Sequence, residues 1–391
     1  MKISEIQQQC INHMESNNLM SYDLFDALTN DFLNNVSKRS TLFRRILIQI
    51  NAKSLIDLHW TGMKRMVHTK TISDLLWYYS IGNDESKYHR VNFYFTWLLK
   101  LKNINGFGWG LNFPYTSRFI DASESMPNLY NTINSGIAIC YSFNYLSETN
   151  KVIAKKSLEG ILEFIDTELG FIDEGNKGWY LYYPSQKYPT YNVNALALYF
   201  FTFVKQIGVH LADSFSLKIT KILNLLIEEQ EIDGSWFYSR SPKGKWIDGF
   251  HSAFVIESIA FAYKNGFNSK EVEDCLDKGW KFYLEEMFTD TGFPKYFLNS
   301  TEYPMESQNI AQAIQTLSIF GIWFDKPNCE ALVINNIKNV LENLYNKKGF
   351  FYYKKTFFWT YRMPYFRWST TPMILALEYA KIYFKSLGKE L

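Results

Sequence analysis

The sequence predicts an all-α fold, an α/α toroid of about six helical hairpins arranged as an inner and an outer ring. Three observations carry that expectation. A glycine followed closely by a large aromatic recurs as Gly108-Trp109, Gly178-Trp179, Gly234-Ser-Trp236, Gly292-Phe293 and Gly349-Phe350, with glycine spacings of 70, 56, 58 and 57 residues. Each pair is followed by an aromatic loop and then by an apolar segment of helical length. Most of these apolar segments precede a second stretch with a charged stripe, such as KEVEDCLDKGWKFYLEEMF. Repetition at such a period marks stacked supersecondary units. A helix apolar all round is buried, whereas one with a charged stripe faces water.

In chain order, residues 1–105 carry a weaker repeat, with helices expected near 23–36, 41–66, 71–81 and 87–103. Residues 106–391 hold five repeats. Their inner segments are LYNTINSGIAICYSFNYL, YNVNALALYFFTFVKQI, GFHSAFVIESIAFAY, SQNIAQAIQTLSIFGIWF and STTPMILALEYAKIYF. The total expected is about twelve or thirteen helices in one toroid domain spanning 1–391. An open solenoid would need polar capping repeats. The last inner segment is still apolar, which predicts closure against the N-terminal helices. Inner-to-outer connections such as SETN are short. Outer-to-inner connections are long and aromatic, and long loops in a compact domain are usually functional. They are expected together on one face, above the N-termini of the inner helices, as the mouth of a cavity.

Composition narrows the function. The 391 residues are 47% hydrophobic with a net charge of +2, and Lys and Arg are scattered, so no nucleic acid is expected. The 27 Tyr, 32 Phe and 11 Trp exceed ordinary usage. Most are expected in the core, and the remainder suit a groove in which flat rings stack on sugars. The start, MKISEIQQQCINHMESNN, has no apolar leader region, and no run of about 18 apolar residues exists. Cys10, Cys140, Cys275 and Cys329 are far apart and read as reduced thiols of a cytoplasmic protein.

The mouth supplies the candidate residues. Inner helices open with Asn131, then Asn192 and Asn194, then Asp248 and His251, then Glu306, Gln308 and Gln312, then Arg367 and Trp368. Capping of free N–H groups accounts for some of these side chains. Asp248 and His251 are three residues apart and share a face. A carboxylate beside a histidine fixes its tautomer and suits a general acid or base. Tyr191 and Tyr296 are alternative bases. The loops add Trp109, Arg118, Asp121, Tyr183, Trp236, Lys295 and Arg362 as candidate ligands of a substrate. Arg forks suit carboxylates, which points to an anionic ligand such as a uronate. No HExxH, paired CxxC, P-loop, GxGxxG or GxSxG is present, so neither metal nor cofactor is expected.

QEIDGSW fits the Q-x3-G-x-W signature at Gln230, Gly234 and Trp236 and resembles the squalene–hopene cyclases and related terpenoid-cyclase toroids. In that family the motif ties outer helices to loops. The cyclase acid motif DxDD is absent, so the likeness implies fold and not terpene chemistry. The blocks WGLNFPYTSRF, PNLYNTINSGIAI, YNVNALAL, KWIDGFHSAFVIES, GFPKYFLNSTEYPMESQNIAQAI and FFYYKKTFFWTYRMPYFRWS look like those of an uncharacterised bacterial family encoded in exopolysaccharide, capsule and O-antigen clusters. That family is similar in architecture to glucuronyl epimerases and toroidal polysaccharide lyases. The resemblance implies a saccharide or sugar polymer as substrate and other polysaccharide-biosynthesis proteins as partners. Proton abstraction by an epimerase or lyase is the leading expectation. A glycoside hydrolase using Asp248 and Glu306, and a non-catalytic glycan-binding scaffold, are the rivals.

Overall fold

The computed structural model describes residues 2–54, 58–82, 87–103 and 106–391. Among these, the first five helices are α1 (Ile3–Ser16), α2 (Asp31–Ser37), α3 (Thr41–Lys53), α4 (Thr69–Ile81) and α5 (Tyr88–Lys100). Next come α6 (Leu129–Ser142), α7 (Glu148–Phe164), α8 (Tyr191–Gln206), α9 (Asp213–Glu228) and α10 (Gly249–Lys264). The last four are α11 (Lys270–Glu286), α12 (Ser307–Phe324), α13 (Cys329–Asn343) and α14 (Thr371–Ser386).

The even-numbered helices from α4 to α14 form the inner ring. Each packs on the next, and α14 packs on α4, so the ring closes. The burial pattern explains the sorting. In α12 every residue from Ser307 to Gly321 is buried. In α11 only one face is buried, with Val272, Cys275, Leu276, Trp280 and Tyr283 inward and Lys and Glu outward. A helix of the first kind must be surrounded, and one of the second kind can cover it. Helices α5, α7, α9, α11 and α13 accordingly lie outside the inner helices that precede them.

The sixth outer position is taken by α1, which lies against α14. The Gln7 side chain donates to the Ile374 carbonyl and to the Glu378 carboxylate, both at 3.0 Å. This helix was not among those expected. Its buried Ile3, Ile6, Cys10 and Met14 recur every three or four residues, but the many Gln and Asn between them lower its apolar signal.

Four of the five recurring glycines mark where a loop touches an outer helix, and Gly178 instead packs on Phe171 within its own hairpin. Gly234 has φ +93, and a Cβ there would lie 2.4 Å from the Lys278 carbonyl of α11. Gly349 has φ +87, and its Cβ would lie 2.3 Å from the Gln9 carbonyl of α1. The same device therefore serves an ordinary repeat and the ring closure. The aromatics beside the glycines are core. Trp109 donates through Nε1 to the Leu98 carbonyl of α5, and Trp236 to the Leu226 carbonyl of α9, at 3.0 and 2.7 Å. Gln230 donates to the carbonyls of Gly234 and Cys275 at 3.0 and 2.9 Å, tying the loop to α11.

Two N-terminal expectations change. The helix expected at 23–36 is a short 3-10 turn, Asp26–Thr29, followed by α2. Asn30 separates them because its side chain caps α2 at Leu33 N–H, 3.0 Å away. The helix expected at 41–66 ends at Lys53, and Met66–Val67 instead pairs antiparallel with Met20–Ser21. The described residues among 17–68 form an insertion packed against the loops of the ring, with Arg44 on Thr116 and Asp23 on Arg367. All four cysteines are buried and unpaired. Among the described residues no helix is long and apolar enough to cross a membrane.

The contact made by Gly234 has a measurable cost. Gly234→Ala should lower the unfolding free energy by about 2 kcal/mol or more, a left-handed penalty of roughly 1–2 kcal/mol plus the clash. Gly175→Ala, at φ +76 with nothing within 4 Å, should lose only the backbone part. Equal urea midpoints for the two variants would remove the helix contact as the reason for the glycine.

Candidate functional site

The N-termini of the inner helices point at one face, and the long loops stand around them. On one side of this mouth Asp248 is the N-cap of α10. Its Oδ1 accepts the His251 backbone N–H at 2.8 Å. Its Oδ2 lies 2.6 Å from His251 Nδ1 and accepts the Trp246 Nε1–H at 3.2 Å. A carboxylate so placed holds the proton on Nδ1 and leaves Nε2 as the free base. Nothing among the described residues bonds Nε2, and the His251 side chain keeps 29% of its surface exposed. Tyr238 meets the imidazole edge-on at 4.8 Å and stacks on Trp246 at 4.6 Å.

The neighbouring loop brings Tyr296 beside this pair, since Gly249 N–H donates to the Tyr296 carbonyl at 3.2 Å. Glu306 caps α12 by accepting the Asn309 N–H at 3.0 Å. Burial pushes its carboxyl up to about 8, Lys354 across the strand ladder offsets part of this, and nearby Asp248 adds to it. Burial likewise lowers the Lys354 ammonium below its usual range. Near neutrality Glu306 is therefore largely a neutral acid, while Asp248 beside it faces an imidazole and an indole N–H.

Across the mouth, Arg367 forks onto Asp23 of the insertion, and Trp368 Nε1 donates to the same carboxylate at 3.1 Å. Burial raises the Asp23 carboxyl, but the guanidinium outweighs it and holds the group below its usual range. Lys70 contacts both oxygens of Asp74 at 2.8 and 2.6 Å, and the Thr371 hydroxyl donates to Asp74 at 2.8 Å. A ring of phenols joins the two sides: Tyr115, Tyr130, Tyr182, Tyr183, Tyr238, Tyr296 and Tyr353. Burial raises each of them above the usual tyrosine range, so all are protonated donors.

Beneath the phenols lies an axial cavity of about 30 Å³, lined by Lys70, Asp74, Asn134, Gln308, Gln312 and Gln315 together with Phe250 and Phe254. It has room for a water or a single hydroxyl group. Its floor is held by Glu257 of α10, which accepts from Gln312 and Gln315 at 2.9 Å and from Thr316 at 3.1 Å. Burial pushes this carboxyl up to about 7. The Asn134 amide nitrogen is buried and has no partner.

The expected site residues separate into groups. Asp248, His251, Tyr296, Glu306, Tyr183 and Arg367 meet at the mouth, and Asn131 joins them through Asn128, which also donates to the Tyr183 hydroxyl at 3.2 Å. Gln308 and Gln312 line the axial cavity. Trp109 and Trp236 are core rings and offer no face to a ligand. Asn194 bonds the backbone of Tyr180 on both sides at 2.8 and 3.2 Å, and Asn192 is buried with an unpartnered Oδ1. Tyr191 points away, its hydroxyl on Glu229 at 2.7 Å, and burial raises it, so it is no base. Arg118 is exposed, and Asp121 is held by Arg44 at 3.2 Å. Lys295 is half-buried, and its carbonyl accepts the Asn309 amide at 3.1 Å. Arg362 is exposed beside the insertion, and Trp368 is packed on Asp23 and Phe25.

Sequence reasoning missed Asp23, Lys70, Asp74, Asn134, Tyr238 and Glu257. Lys70 and Asp74 did carry a signal, an opposite-charge pair at i, i+4 in an apolar segment, and Glu257 is the lone acid in GFHSAFVIESIAFAY.

The fold is shared with proteins of known structure, among them two carbohydrate-active enzymes. Cellobiose 2-epimerase from Bacillus thermoamylovorans superposes with a TM-score of 0.61 at 13% identity, covering 81% of this chain and 88% of that one. The Lin0763 protein from Listeria innocua superposes with a TM-score of 0.62 at 13% identity over 100% and 99% of the two chains. The GH76A α-1,6-mannanase from Salegentibacter sp. HEL1_6 gives 0.57 at 13% identity over 81% and 88%. No family profile matches the chain, and no curated protein matches its sequence.

The raised Glu306 carboxyl has a stability signature. Its folded value of about 8 exceeds the ordinary 4.5, so the native state holds a proton that the unfolded state releases. Stability is lost as pH rises between those values, by at most about 1.4 kcal/mol per pH unit. Glu306→Gln keeps an acceptor for Asn309 and should flatten that loss. Parallel pH dependences of the variant and the parent in chemical denaturation would show that Glu306 is ionised throughout.

Proposed function

We propose that the mouth binds a neutral saccharide and that His251, oriented by Asp248, moves a proton at the sugar carbon next to a carbonyl, as an epimerase does. The observation that carries this is the 2.6 Å contact of Asp248 Oδ2 with His251 Nδ1, which leaves Nε2 free in a mouth walled by phenols. In this reading Nε2 takes the proton from C2 of an open-chain aldose. The charge moves onto the carbonyl oxygen, where the neutral Glu306 acid donates a hydrogen bond. A proton from solvent, delivered to the opposite face through one of the protonated phenols, gives the C2 epimer, and Nε2 releases the abstracted proton to solvent. Stabilising the developing oxyanion is the larger part of such catalysis, and a protonated carboxyl in a buried site suits it. The likeness of fold to a cellobiose 2-epimerase is compatible with this chemistry.

A uronate substrate is less well supported than the sequence suggested. Arg367 already faces Asp23, Lys70 faces Asp74, and Arg118 and Arg362 are exposed. The buried cations of the mouth are thus neutralised before any anion arrives. Glycoside hydrolysis is the second reading, favoured by Glu306 as a protonated acid with the Asp248 carboxylate nearby. The block resemblance supports a cytoplasmic role in surface-polysaccharide assembly, beside other biosynthetic proteins.

Proton NMR in D2O with neutral disaccharides and uronic oligosaccharides tests the reaction. Loss of the C2–H signal of a neutral sugar is expected, slowed by about a hundredfold or more in His251→Ala. New reducing-end signals without exchange would establish hydrolysis instead, exchange confined to C5 of a uronate would restore the anionic substrate, and line broadening alone would mean a binding module.

Asn134 offers a separate check. A buried donor without a partner costs roughly 1–3 kcal/mol. If a sugar hydroxyl is its partner, Asn134→Leu should resist urea better than the parent while binding the saccharide about tenfold more weakly, one hydrogen bond to a neutral group. A variant that is less stable and binds unchanged would make Asn134 purely structural.

A further inference from the structure

Helix α3 is mounted with the wrong face outward for an ordinary surface helix. Its buried residues are Arg44, Ile48, Asn51 and Ala52. The two polar ones are fully engaged: Arg44 with Thr116, Asn34 and Asp121, and Asn51 with the Leu24 carbonyl and Asp26. Leu42, Ile46 and Ile50, spaced i, i+4 and i+8 on one face, are exposed together with Phe43. Phe32 and Val36 of α2 and Trp60 of the following turn are exposed as well. Trp359, in the tip Phe357–Trp359 of the hairpin between Lys354–Lys355 and Thr360–Tyr361, shares a cavity of about 120 Å³ with Asn51, Ser54, Leu58 and His59 of the insertion. That tip adds three more exposed rings. Ten of the twenty exposed large apolar side chains among the described residues lie in these two adjoining segments.

The charges around the patch are mainly basic, and Asp31, the acid on α2, pairs with Lys64. Among the described residues no carboxylate pairs with Lys38, Arg39, Arg45 or Lys53, whereas Arg44 and Lys64 of the same insertion have Asp121 and Asp31. A helix with a broad apolar face and basic flanks lies flat in a lipid interface and prefers anionic headgroups. We propose that α2, α3 and the Phe357–Trp359 tip form a docking surface for an anionic lipid bilayer. Charge complementarity selects that occupant: four cations without a carboxylate partner among the described residues suit a negatively charged surface, and aromatic tips suit the headgroup layer. The insertion also carries Asp23 against Arg367, so a docked molecule holds its mouth beside the lipid surface.

Vesicle flotation of the full chain tests this independently of any sugar chemistry. The probes are vesicles of phosphatidylcholine alone and of phosphatidylcholine mixed with phosphatidylglycerol. The protein should float with the mixed vesicles at low salt and be released as the Debye length shrinks towards about 10 Å. Lys38→Glu and Arg39→Glu together should weaken partitioning by about fivefold per cation, and Ile46→Ser with Ile50→Ser should abolish it. Ile232→Ser, fully exposed elsewhere, should float as the parent does. Thermal melts confirm that each variant is folded. No flotation with either vesicle, or undiminished flotation of the Ile46/Ile50 variant, would overturn the proposal. So would light scattering that shows self-association lost in that variant, which would give the surface to a second copy of the chain.

Discussion

A ring of helices holds only if its first and last members meet. In this protein that meeting is made twice, by α14 against α4 inside and by α1 against α14 outside. Both contacts join residues far apart in sequence, as the bonds of Gln7 to Ile374 and Glu378 show. Every other feature depends on that closure. The inner helices are apolar all round and would expose most of their surface if the ring opened, and burial of such surface is the main force that favours folding. Closure also brings helix N-termini from six separate repeats to one face, where no single repeat could assemble a site.

The mouth is a place of balanced charge. Its buried cations Lys70 and Arg367 are matched by carboxylates, its tyrosines are kept protonated by burial, and one of its acids is held neutral. Such a surface offers many hydrogen-bond donors and little net field. Sugar hydroxyls suit this arrangement better than phosphates or carboxylates do, because a neutral ligand demands no unpaired countercharge. The one polarised element is the Asp248–His251 pair, and its directionality comes from helix geometry: the residue that caps α10 is also the one that orients the ring three positions later.

The ring was legible in the sequence because its cause is local and repeated. A glycine–aromatic pair and an all-apolar inner segment recur with a nearly constant period. That Asp248, His251 and Glu306 lie at the mouth was legible for the same reason, since the helix starts fix which residues fall in the first turn of each inner helix. The stacking roles of Trp109 and Trp236 were misread, because a tryptophan in a loop looks the same whether it faces a groove or bonds the carbonyl that ends the previous helix. Arg367 was found but its partner was not. Asp23 lies 344 residues away in an insertion outside the repeat, and nothing in the spacing connects them. Tyr191 and Asn194 share the first turn and a half of α8 with residues that face inward, and a change of about 100° per residue decides which way each one points.

The position of α1 sets an order on folding. Residues 3–16 are made more than 300 residues before α14 and the loop at Gly349, which cover their apolar face. Through most of synthesis Ile6, Cys10 and Met14 lack the cover that α14 gives them. Contacts of such sequence separation are slow to form and leave apolar surface open to association meanwhile. The Gln and Asn residues that hid this helix from its hydrophobic pattern give the waiting segment a polar coat, and so keep the latch soluble until the ring is ready to receive it.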